Sequence, residues 1–347
     1  MIIFELILTV LMSYIFIRQI VKYANYIGLL DVPNDRSHHK QITPRGAGIG
    51  FIAALFISIF VFKTHIVVEF WYIFVAVGMV LLVGIVDDIY EIGVRSKIVM
   101  IAFATVWLWA FHISIDGFGY CFGSYLTLGW LVLPFTLFAV VAFTNAFNLI
   151  DGLDGLAGSL AIVILLSFAY VAHDYHNELV FYLCIFTVSA VIGFMFLNWH
   201  PAKVFMGDSG SLTLGFLISV IAILSIRDIP PVVIFYIAAM PILDTLVVMT
   251  RRISNKENPF RPDKKHLHHV LIRFLNGDVK KSVLFLTALQ ILFAFAGLLL
   301  INVIQEDKTG SIAPVALIVF GAIYILFYFV AKKMDRGLES GVENKYT

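Results

Sequence analysis

Charged residues are scarce in this chain: Asp, Glu, Lys and Arg make up 14% of its 347 residues, whereas 61% are hydrophobic. Soluble domains carry about 25% charged residues, so this composition excludes that class and indicates an integral membrane protein. A net charge of +1 does not predict binding to nucleic acid. The only two cysteines, Cys121 and Cys184, are too few for a disulfide framework, and we expect both to be packing residues.

Long apolar runs are abundant, and eleven of them approach the roughly 20 residues that cross a bilayer. They occupy 2–22, 46–62, 70–86, 97–115, 130–147, 158–173, 180–197, 212–226, 230–250, 283–303 and 312–331. The first run contains Glu5 and lacks both a basic start and a small-residue cleavage site, so we expect it to remain as an anchor. We therefore predict an all-α, polytopic protein with one transmembrane domain over 1–331 and a short tail over 332–347.

Basic residues are distributed unequally between the loops. Of the 24 Lys and Arg residues, 20 fall within or directly beside the segments that follow odd-numbered spans, the tail included, and three fall in the remaining loops. Because Lys and Arg are retained on the cytoplasmic side, we predict an external N-terminus and a cytoplasmic C-terminus. The predicted cytoplasmic loops are 23–45, 87–96, 148–157, 198–211 and 251–282.

These same loops hold nearly all the polar motifs. Asp87 and Asp88 follow an apolar run directly, and an acidic side chain costs about 2.5–3.5 kcal/mol at the bilayer centre, so we place the pair at the interface. Two carboxylates at a helix C-terminus oppose its dipole, which predicts a compensating metal ion or basic residue. The alternative is that they only mark the end of a helix.

The run from Asn145 to Gly158 is the most specific motif. Asn145 and Asn148 are three residues apart, as are Asp151 and Asp154, and Gly follows each Asp. Three-residue spacing directs paired side chains to one face if the helix continues, which suits a polar ligand at a helix end. The alternative is a simple reversal built from Asn, Asp and Gly.

Two further segments carry candidate chemistry. Phe205-Met-Gly-Asp208-Ser-Gly suits metal-bridged phosphate, although Asp-Ser-Gly is also an ordinary helix start. The basic loop holds His266, His268 and His269. Zinc is one possible ligand there, but no acidic or thiolate ligand lies within the segment and the nearby Lys and Arg would repel a cation, so anion recognition fits better. Adsorption to anionic lipid would explain the Lys and Arg. Asp244, inside the ninth run, stays unassigned between a functional role and pairing with Arg251 or Arg252.

Together these motifs resemble the polyprenyl-phosphate N-acetylhexosamine-1-phosphate transferase superfamily over nearly the whole chain, including the eleven-span layout. His-x-His-His is similar to the WecA-type branch, whereas the MraY-type branch has contiguous histidines. Glu91 departs from the WecA pattern, which often has a third Asp there. The resemblance implies a catalytic domain in the bacterial inner membrane that transfers N-acetylhexosamine 1-phosphate, most simply GlcNAc 1-phosphate, from a UDP-sugar to undecaprenyl phosphate. The product would begin cell-envelope glycans such as O-antigen or teichoic acid.

The resemblance also implies residue roles. Asp208 is the expected Mg²⁺ ligand, with Asp88 nearby and Mn²⁺ as a possible substitute. Asp87 and Asp88 would position lipid phosphate and metal, the three histidines would hold the diphosphate, and a homodimer is possible. The expected nucleotide and substrate contacts are Lys40, Asn145, Asn148, Asp151, Asp154, Asn198 and Phe205.

The phosphate chemistry favours a single displacement, because a phosphate monoester with a second pKa near ~6 is already mostly dianionic at neutral pH. The rival mechanism is a two-step route through a carboxylate nucleophile. Two alternative functions stay open: an MraY-type transferase acting on UDP-MurNAc-pentapeptide, and a secondary transporter. Transporters place their polar groups near the bilayer midplane, whereas here the polar groups are predicted at one interface.

Overall fold

The computed structural model describes residues 1–31, 42–256 and 266–343. The predicted nucleotide contact Lys40 and residues 257–265 of the predicted histidine loop lie outside the described residues. Within them, the chain forms fourteen α-helices. These are α1 (Ile2–Ile27), α2 (Ala47–Phe62), α3 (Thr64–Glu69), α4 (Trp71–Tyr90), α5 (Val94–Ala110), α6 (Val132–Ile150), α7 (Leu156–Asp174), α8 (Glu178–Asn198), α9 (Gly207–Ser225), α10 (Pro231–Ile237), α11 (Ala239–Ser254), α12 (Leu267–Phe274), α13 (Val279–Glu306) and α14 (Ile312–Glu343).

Two short antiparallel ladders accompany the helices. Strand β1 (Leu30–Asp31) pairs with β2 (Thr43–Pro44) just before α2. Strand β3 (Gly117–Cys121) pairs with β4 (Ser124–Thr127) between α5 and α6. The protein is therefore predominantly α-helical, as predicted.

Eight helices in the described parts of the chain are long and apolar enough to cross a membrane: α1, α4, α6, α7, α8, α9, α13 and α14. Helices α10 and α11 would make a ninth span together, although they meet at an angle of 84°. Helix α2 is apolar but has 16 residues, and α5 has 17 with Arg95 and Lys97 in its first turn. Each predicted span thus coincides with a helix or with the bent pair. The polytopic membrane class is supported, while eleven crossings and their orientation stay predictions.

The break between α10 and α11 is satisfied by a side chain from a neighbouring helix. The amide of Gln290 on α13 accepts from Met240 N at 3.0 Å and donates to Ile237 O at 2.7 Å, and Gln290 is fully buried. A broken helix at membrane depth requires such partners, because lipid cannot hydrogen-bond the freed backbone groups.

Helix α9 runs through the middle of the bundle: 78% of its apolar window is buried, against 17% for α14. The outermost helices expose large apolar side chains instead, including Phe4 on α1, Phe295 on α13 and Ile318 on α14, each at least 60% exposed. Such a surface is typical of contact with lipid. The central position of α9 matters for function because its N-terminal turn carries Asp208.

Candidate active site

The N-terminus of α9 is enclosed by close backbone packing. Phe205, half-buried in the loop before α9, donates from its amide to Pro44 O at 2.9 Å, and Gly48 N donates to Met206 O at 3.0 Å. A Cβ on Gly48 would collide with the backbone of Gly210, and a Cβ on Gly84 would collide with that of Ser209. Glycine at these two positions therefore lets α2 and α4 approach the first turn of α9 directly.

Asp88, on the last turn of α4, caps α9 from outside. Its Oδ1 accepts from Asp208 N at 2.8 Å and its Oδ2 accepts from Ser209 N at 3.0 Å. The side chain is 2% exposed. A carboxylate at a helix N-terminus satisfies unpaired amides and favours the positive end of the dipole. The sequence predicted a metal ion or a basic residue as the compensating partner of this acidic pair, and for Asp88 the described contacts are with the start of another helix.

Asp87, the neighbouring residue, faces a lysine. Lys97 Nζ lies 3.3 Å from Asp87 Oδ2 and 2.6 Å from Asp208 Oδ2, and all three side chains are no more than 22% exposed. Asp87 Oδ1 is buried with no hydrogen-bond partner among the described residues. Lys97 was missed by sequence reasoning, and its only signal is a basic residue where an apolar stretch begins beside an acidic loop.

Asn148, on the last turn of α6, completes the surroundings of Asp208. Its Nδ2 lies 3.0 Å from Asp208 Oδ1 and 2.7 Å from Ser211 Oγ. Asn145 instead donates to Val141 O of its own helix at 2.7 Å. The first turn of α9 thus presents the Asp208 carboxylate between the Lys97 ammonium and the Asn148 amide. Asn145 is not part of this group.

Asp151 and Asp154 lie in the turn between α6 and α7, because α6 ends at Ile150. Asp154 Oδ2 accepts from Ala202 N at 3.0 Å and lies 2.7 Å from His200 Nδ1. These contacts tie the turn to the loop after α8. The helical spacing on which the sequence argument depended does not continue through these two residues.

Asn198, at the end of α8, ties the same two segments together. Its Oδ1 accepts from Gly155 N and its Nδ2 donates to Val204 O, both at 2.9 Å, and the residue is 4% exposed. The amide therefore has backbone partners on both sides. These two hydrogen bonds position the loops, and direct contact with a nucleotide stays a prediction.

The carboxylates lie close enough to influence one another. Burial, together with the negative charges of Asp208, Asp154 and Asp88, raises the pKa of Asp151 to about 7. Mutual repulsion of this kind is relieved by a cation. Carboxylate oxygens are the ligands that Mg²⁺ prefers. Asp208 and Asp87 Oδ1 offer such oxygens, and so does Asp88, whose two oxygens each accept one backbone bond and keep a second lone pair.

The histidine segment is anchored by Asp244, whose role the sequence left open. Asp244 is 1% exposed, and its Oδ2 lies 2.7 Å from His266 Nδ1 while its Oδ1 accepts from Leu267 N. A Cβ on Gly152 would collide with the His268 imidazole, so this segment lies against the turn that holds Asp151. The rings of His268 and half-buried His269 are 4.2 Å apart between centroids.

Segments from the predicted polar loops therefore meet at one end of the bundle. This was expected because all of these loops follow odd-numbered spans. Contacts join the start of α2, the end of α4, the end of α6, the start of α9 and the histidine segment. Glu91, which departs from the family pattern, lies outside this group: its side chain is 79% exposed and pairs with Arg45 at 3.4 Å.

Known proteins resemble this chain over most of its length. Residues 70–226 match the model of glycosyl transferase family 4. The chain is 33% identical over 296 residues to a probable undecaprenyl-phosphate N-acetylglucosaminyl 1-phosphate transferase of Bacillus subtilis (strain 168), covering 84% of this chain and 82% of that protein. It is 31% identical to the undecaprenyl-phosphate alpha-N-acetylglucosaminyl 1-phosphate transferase of Escherichia coli (strain K12), covering 90% and 86%. The Yersinia pestis protein of the same name is 30% identical, covering 96% and 92%.

Proposed function

This chain belongs to glycosyl transferase family 4, within the WecA-type branch of the polyprenyl-phosphate N-acetylhexosamine-1-phosphate transferases, and we infer that it transfers GlcNAc 1-phosphate from UDP-GlcNAc to undecaprenyl phosphate. UMP leaves, and the product is a lipid-linked pyrophosphoryl sugar that begins a cell-envelope glycan. Asp208, held between Lys97 and Asn148 at a helix N-terminus, supports this activity most directly. Acidic and basic groups that face each other beside an apolar bundle suit two anionic substrates, one of them a lipid.

A divalent cation, Mg²⁺ or Mn²⁺, fits the carboxylates of this site. We propose Asp208 and Asp87 as its ligands, because Asp87 Oδ1 is buried without a hydrogen-bond donor among the described residues. Asp88, which the sequence also predicted as a ligand, positions the start of α9 because both of its oxygens accept backbone bonds, and its ligation of the ion stays a prediction. When bound, the cation would neutralise negative charge on the transferred and leaving phosphates.

The side chains of the site perform the remaining tasks. Asp88 fixes the backbone that carries Asp208, and Asn148 orients the Asp208 carboxylate. Lys97 supplies a positive charge within reach of both Asp87 and Asp208, which would offset the phosphate charge that accumulates during transfer. The His266, His268 and His269 segment, placed beside Asp151 through Gly152, would form the wall that faces the diphosphate of the donor.

We propose a single displacement. An oxygen of undecaprenyl phosphate attacks the sugar-bearing phosphorus of the donor, the new pyrophosphate bond forms, and the bond to the UMP oxygen breaks. The attacking phosphate is mostly dianionic at neutral pH because its second pKa is near ~6, so no dedicated base is required. Asp87 would then orient the lipid phosphate and the cation without removing a proton.

The site would face the cytoplasm of a bacterial cell, at the inner membrane, with eleven crossings in total. This orientation follows from the excess of Lys and Arg in the loops that carry the site. Helices α2 and α5 and the bent pair of α10 and α11 would supply the crossings beyond the eight long helices. We also propose that the protein can assemble as a homodimer in the membrane.

Release of UMP by the purified protein in detergent tests the function. With UDP-GlcNAc, undecaprenyl phosphate and Mg²⁺ we expect turnover that Asp208→Asn abolishes and that Asp174→Asn, an exposed carboxylate at the far end of α7, leaves intact. A panel of UDP-sugars that includes UDP-MurNAc-pentapeptide identifies the donor. If no donor yields UMP and the protein instead transports a solute in liposomes, the assignment as a transferase is wrong and the protein is a transporter.

The mechanism has its own test. The protein is incubated with donor and Mg²⁺ in the absence of undecaprenyl phosphate, and the products are analysed for UMP and for a phosphosugar attached to the protein. A single displacement requires both to be absent. A covalent phosphosugar on a carboxylate, formed with stoichiometric UMP, would establish the two-step route instead.

A further inference from the structure

Arg45 lies in the segment that precedes α2, beside the start of α9. The adjacent Pro44 O accepts from the amide of Phe205, in the loop before α9, at 2.9 Å. A Cβ on Gly46, the next residue, would come within 3.6 Å of Asp88 Oδ2. The backbone at Arg45 is therefore held against the acidic end of the bundle.

The guanidinium of Arg45 is incompletely paired among the described residues. Its Nη2 donates to Glu91 Oε1 at 3.4 Å, whereas its Nε is buried and has no hydrogen-bond partner there. The Arg45 side chain is 20% exposed and that of Glu91 is 79% exposed. A long ion pair to an exposed carboxylate contributes little stability, and a buried donor without a partner is costly. The pair with Glu91 therefore does not explain why a guanidinium is kept in this position.

We propose that Arg45 binds a substrate phosphate. Nε and Nη2 lie along one edge of the planar guanidinium, and their parallel N–H groups match two oxygens of a phosphate. In the described part of the chain, Nε has no partner and Nη2 reaches Glu91 only at 3.4 Å. A phosphate would satisfy both donors at once. The inference rests on the transferase function proposed above, in which both substrates carry phosphate.

Glu91 would occupy the same edge of Arg45 until the phosphate arrives. Within the described ranges, the Glu91 carboxylate pairs with Arg45 alone. Because this side chain is largely exposed, it can turn into solvent without giving up another partner. Glu91 and the substrate phosphate would thus compete for one pair of N–H groups.

The surroundings of Arg45 indicate the phosphate of the lipid acceptor. Glu91 N donates to Asp87 O at 2.8 Å, so Arg45 pairs with a residue one helical turn from the Asp87 that we assign to the lipid phosphate. The histidine segment, which we assign to the donor diphosphate, lies instead against Gly152 in the turn between α6 and α7. Different elements therefore carry the two groups, and Arg45 belongs with Asp87.

Binding of farnesyl phosphate, a short prenyl phosphate, to the full-length protein in detergent tests this assignment. Isothermal titration calorimetry with Mg²⁺ present measures its Kd, and farnesol, which lacks the phosphate, gives the background. Arg45→Gln should weaken binding roughly 10- to 100-fold, the range for losing a hydrogen bond to a charged group. Arg45→Lys keeps the charge but not the fork of donors and should give an intermediate Kd. Arg95→Gln, exposed on α5, should bind as the parent does.

Glu91→Gln separates phosphate binding from a purely structural role of the ion pair. Removal of the competing carboxylate should tighten farnesyl phosphate binding by up to about fivefold, the upper range for an exposed ion pair. Arg45→Gln and Glu91→Gln should therefore change the affinity in opposite directions. Weaker binding in both variants, with melting temperatures lowered alike, would overturn the proposal.

A parallel titration with UDP-GlcNAc distinguishes the two sources of phosphate. We expect Arg45→Gln to bind UDP-GlcNAc as the parent does. Loss of affinity for UDP-GlcNAc alone would retain phosphate binding by Arg45 but overturn its assignment to the acceptor. Parent-like affinity for both ligands would overturn the proposal and leave the transferase function intact. A parent protein that does not distinguish farnesyl phosphate from farnesol would contradict both.

Discussion

Asp88 Oδ1 accepts a hydrogen bond of 2.8 Å from the backbone amide of Asp208. The carboxylate at the end of α4 therefore fixes the start of the helix that carries the central acidic residue of the site. Asp87, one position earlier, faces Lys97 at 3.3 Å instead. Two adjacent residues of the same type thus have separate partners, which makes their expected mutant effects different.

Asp88→Asn should destabilise the protein more than Asp87→Asn. An amide nitrogen cannot accept from Ser209 N, so one buried donor loses its partner at a cost of about 1–3 kcal/mol. Asp87 accepts no backbone bond among those described, and its replacement should mainly reduce turnover. Thermal unfolding in detergent, measured beside UMP release, separates the two effects. Equal losses of melting temperature would contradict a capping role for Asp88.

Lys97→Met should bind Mn²⁺ about tenfold more tightly while losing turnover. Its ammonium lies 2.6 Å from Asp208 Oδ2 and repels a second cation, and tenfold corresponds to about 1.4 kcal/mol. Arg95→Met is the matched control, because Arg95 is exposed on the same helix. Electron paramagnetic resonance of free Mn²⁺ measures the affinity. Unchanged affinity in Lys97→Met would show that Lys97 does not compete with the ion.

Asp151→Asn should raise the melting temperature of the cation-free protein by a few degrees at about pH 8. Burial raises the pKa of Asp151 to about 7 in the folded protein, from an ordinary value of 3.8. The folded state therefore binds the proton more tightly, and its stability falls as pH rises from about 4 to 7, with the full penalty above pH 7. The advantage of Asp151→Asn should shrink toward pH 4, whereas Asp174→Asn should show no such trend. A variant that is less stable than the parent at pH 8 would contradict the assignment.

Gly84→Ala should impair both stability and activity, whereas Gly78→Ala on the same helix should impair neither. A Cβ at Gly84 meets the backbone of Ser209, and a Cβ at Gly78 meets open space. Overpacking of a tight contact costs about 1–3 kcal/mol, and here it would push α4 away from the N-terminus of α9. Melting temperature and UMP release should fall together in Gly84→Ala. Parent-like values there would show that the two helices can separate without effect.

Much of the architecture was predictable because membrane physics leaves few choices. Apolar runs of adequate length must form helices in lipid, and each of the predicted spans coincides with a helix or with the bent pair. Polar motifs in alternate loops must share a face. The contacts of Asp88 and Asn148 with Asp208, and of Gly152 with His268, bring them together. The WecA-type motifs likewise identified the family that the relatives support.

Individual roles were less predictable, because they depend on partners distant in the sequence. Lys97 lies 111 residues from the Asp208 that it contacts, and Asp244 lies 22 residues from His266. Spacing along one helix suggested that Asn145 acts beside Asn148, yet Asn145 bonds to its own backbone. Local pattern carries no information on which of several polar groups satisfies a buried donor.

The amino-acid sequence by itself determined the membrane class, the gathering of acidic, amide and histidine motifs at one end, and the kinship with WecA-type transferases. These follow from hydropathy, from the position of the polar loops after odd-numbered spans, and from motifs that are contiguous in the chain. Only the tertiary structure decided that Asp88 caps a helix, that Lys97 lies between Asp87 and Asp208, and that Asp244 joins the histidines. Such pairings arise because buried polar groups must find partners, and in a helical bundle the nearest partner usually belongs to another helix.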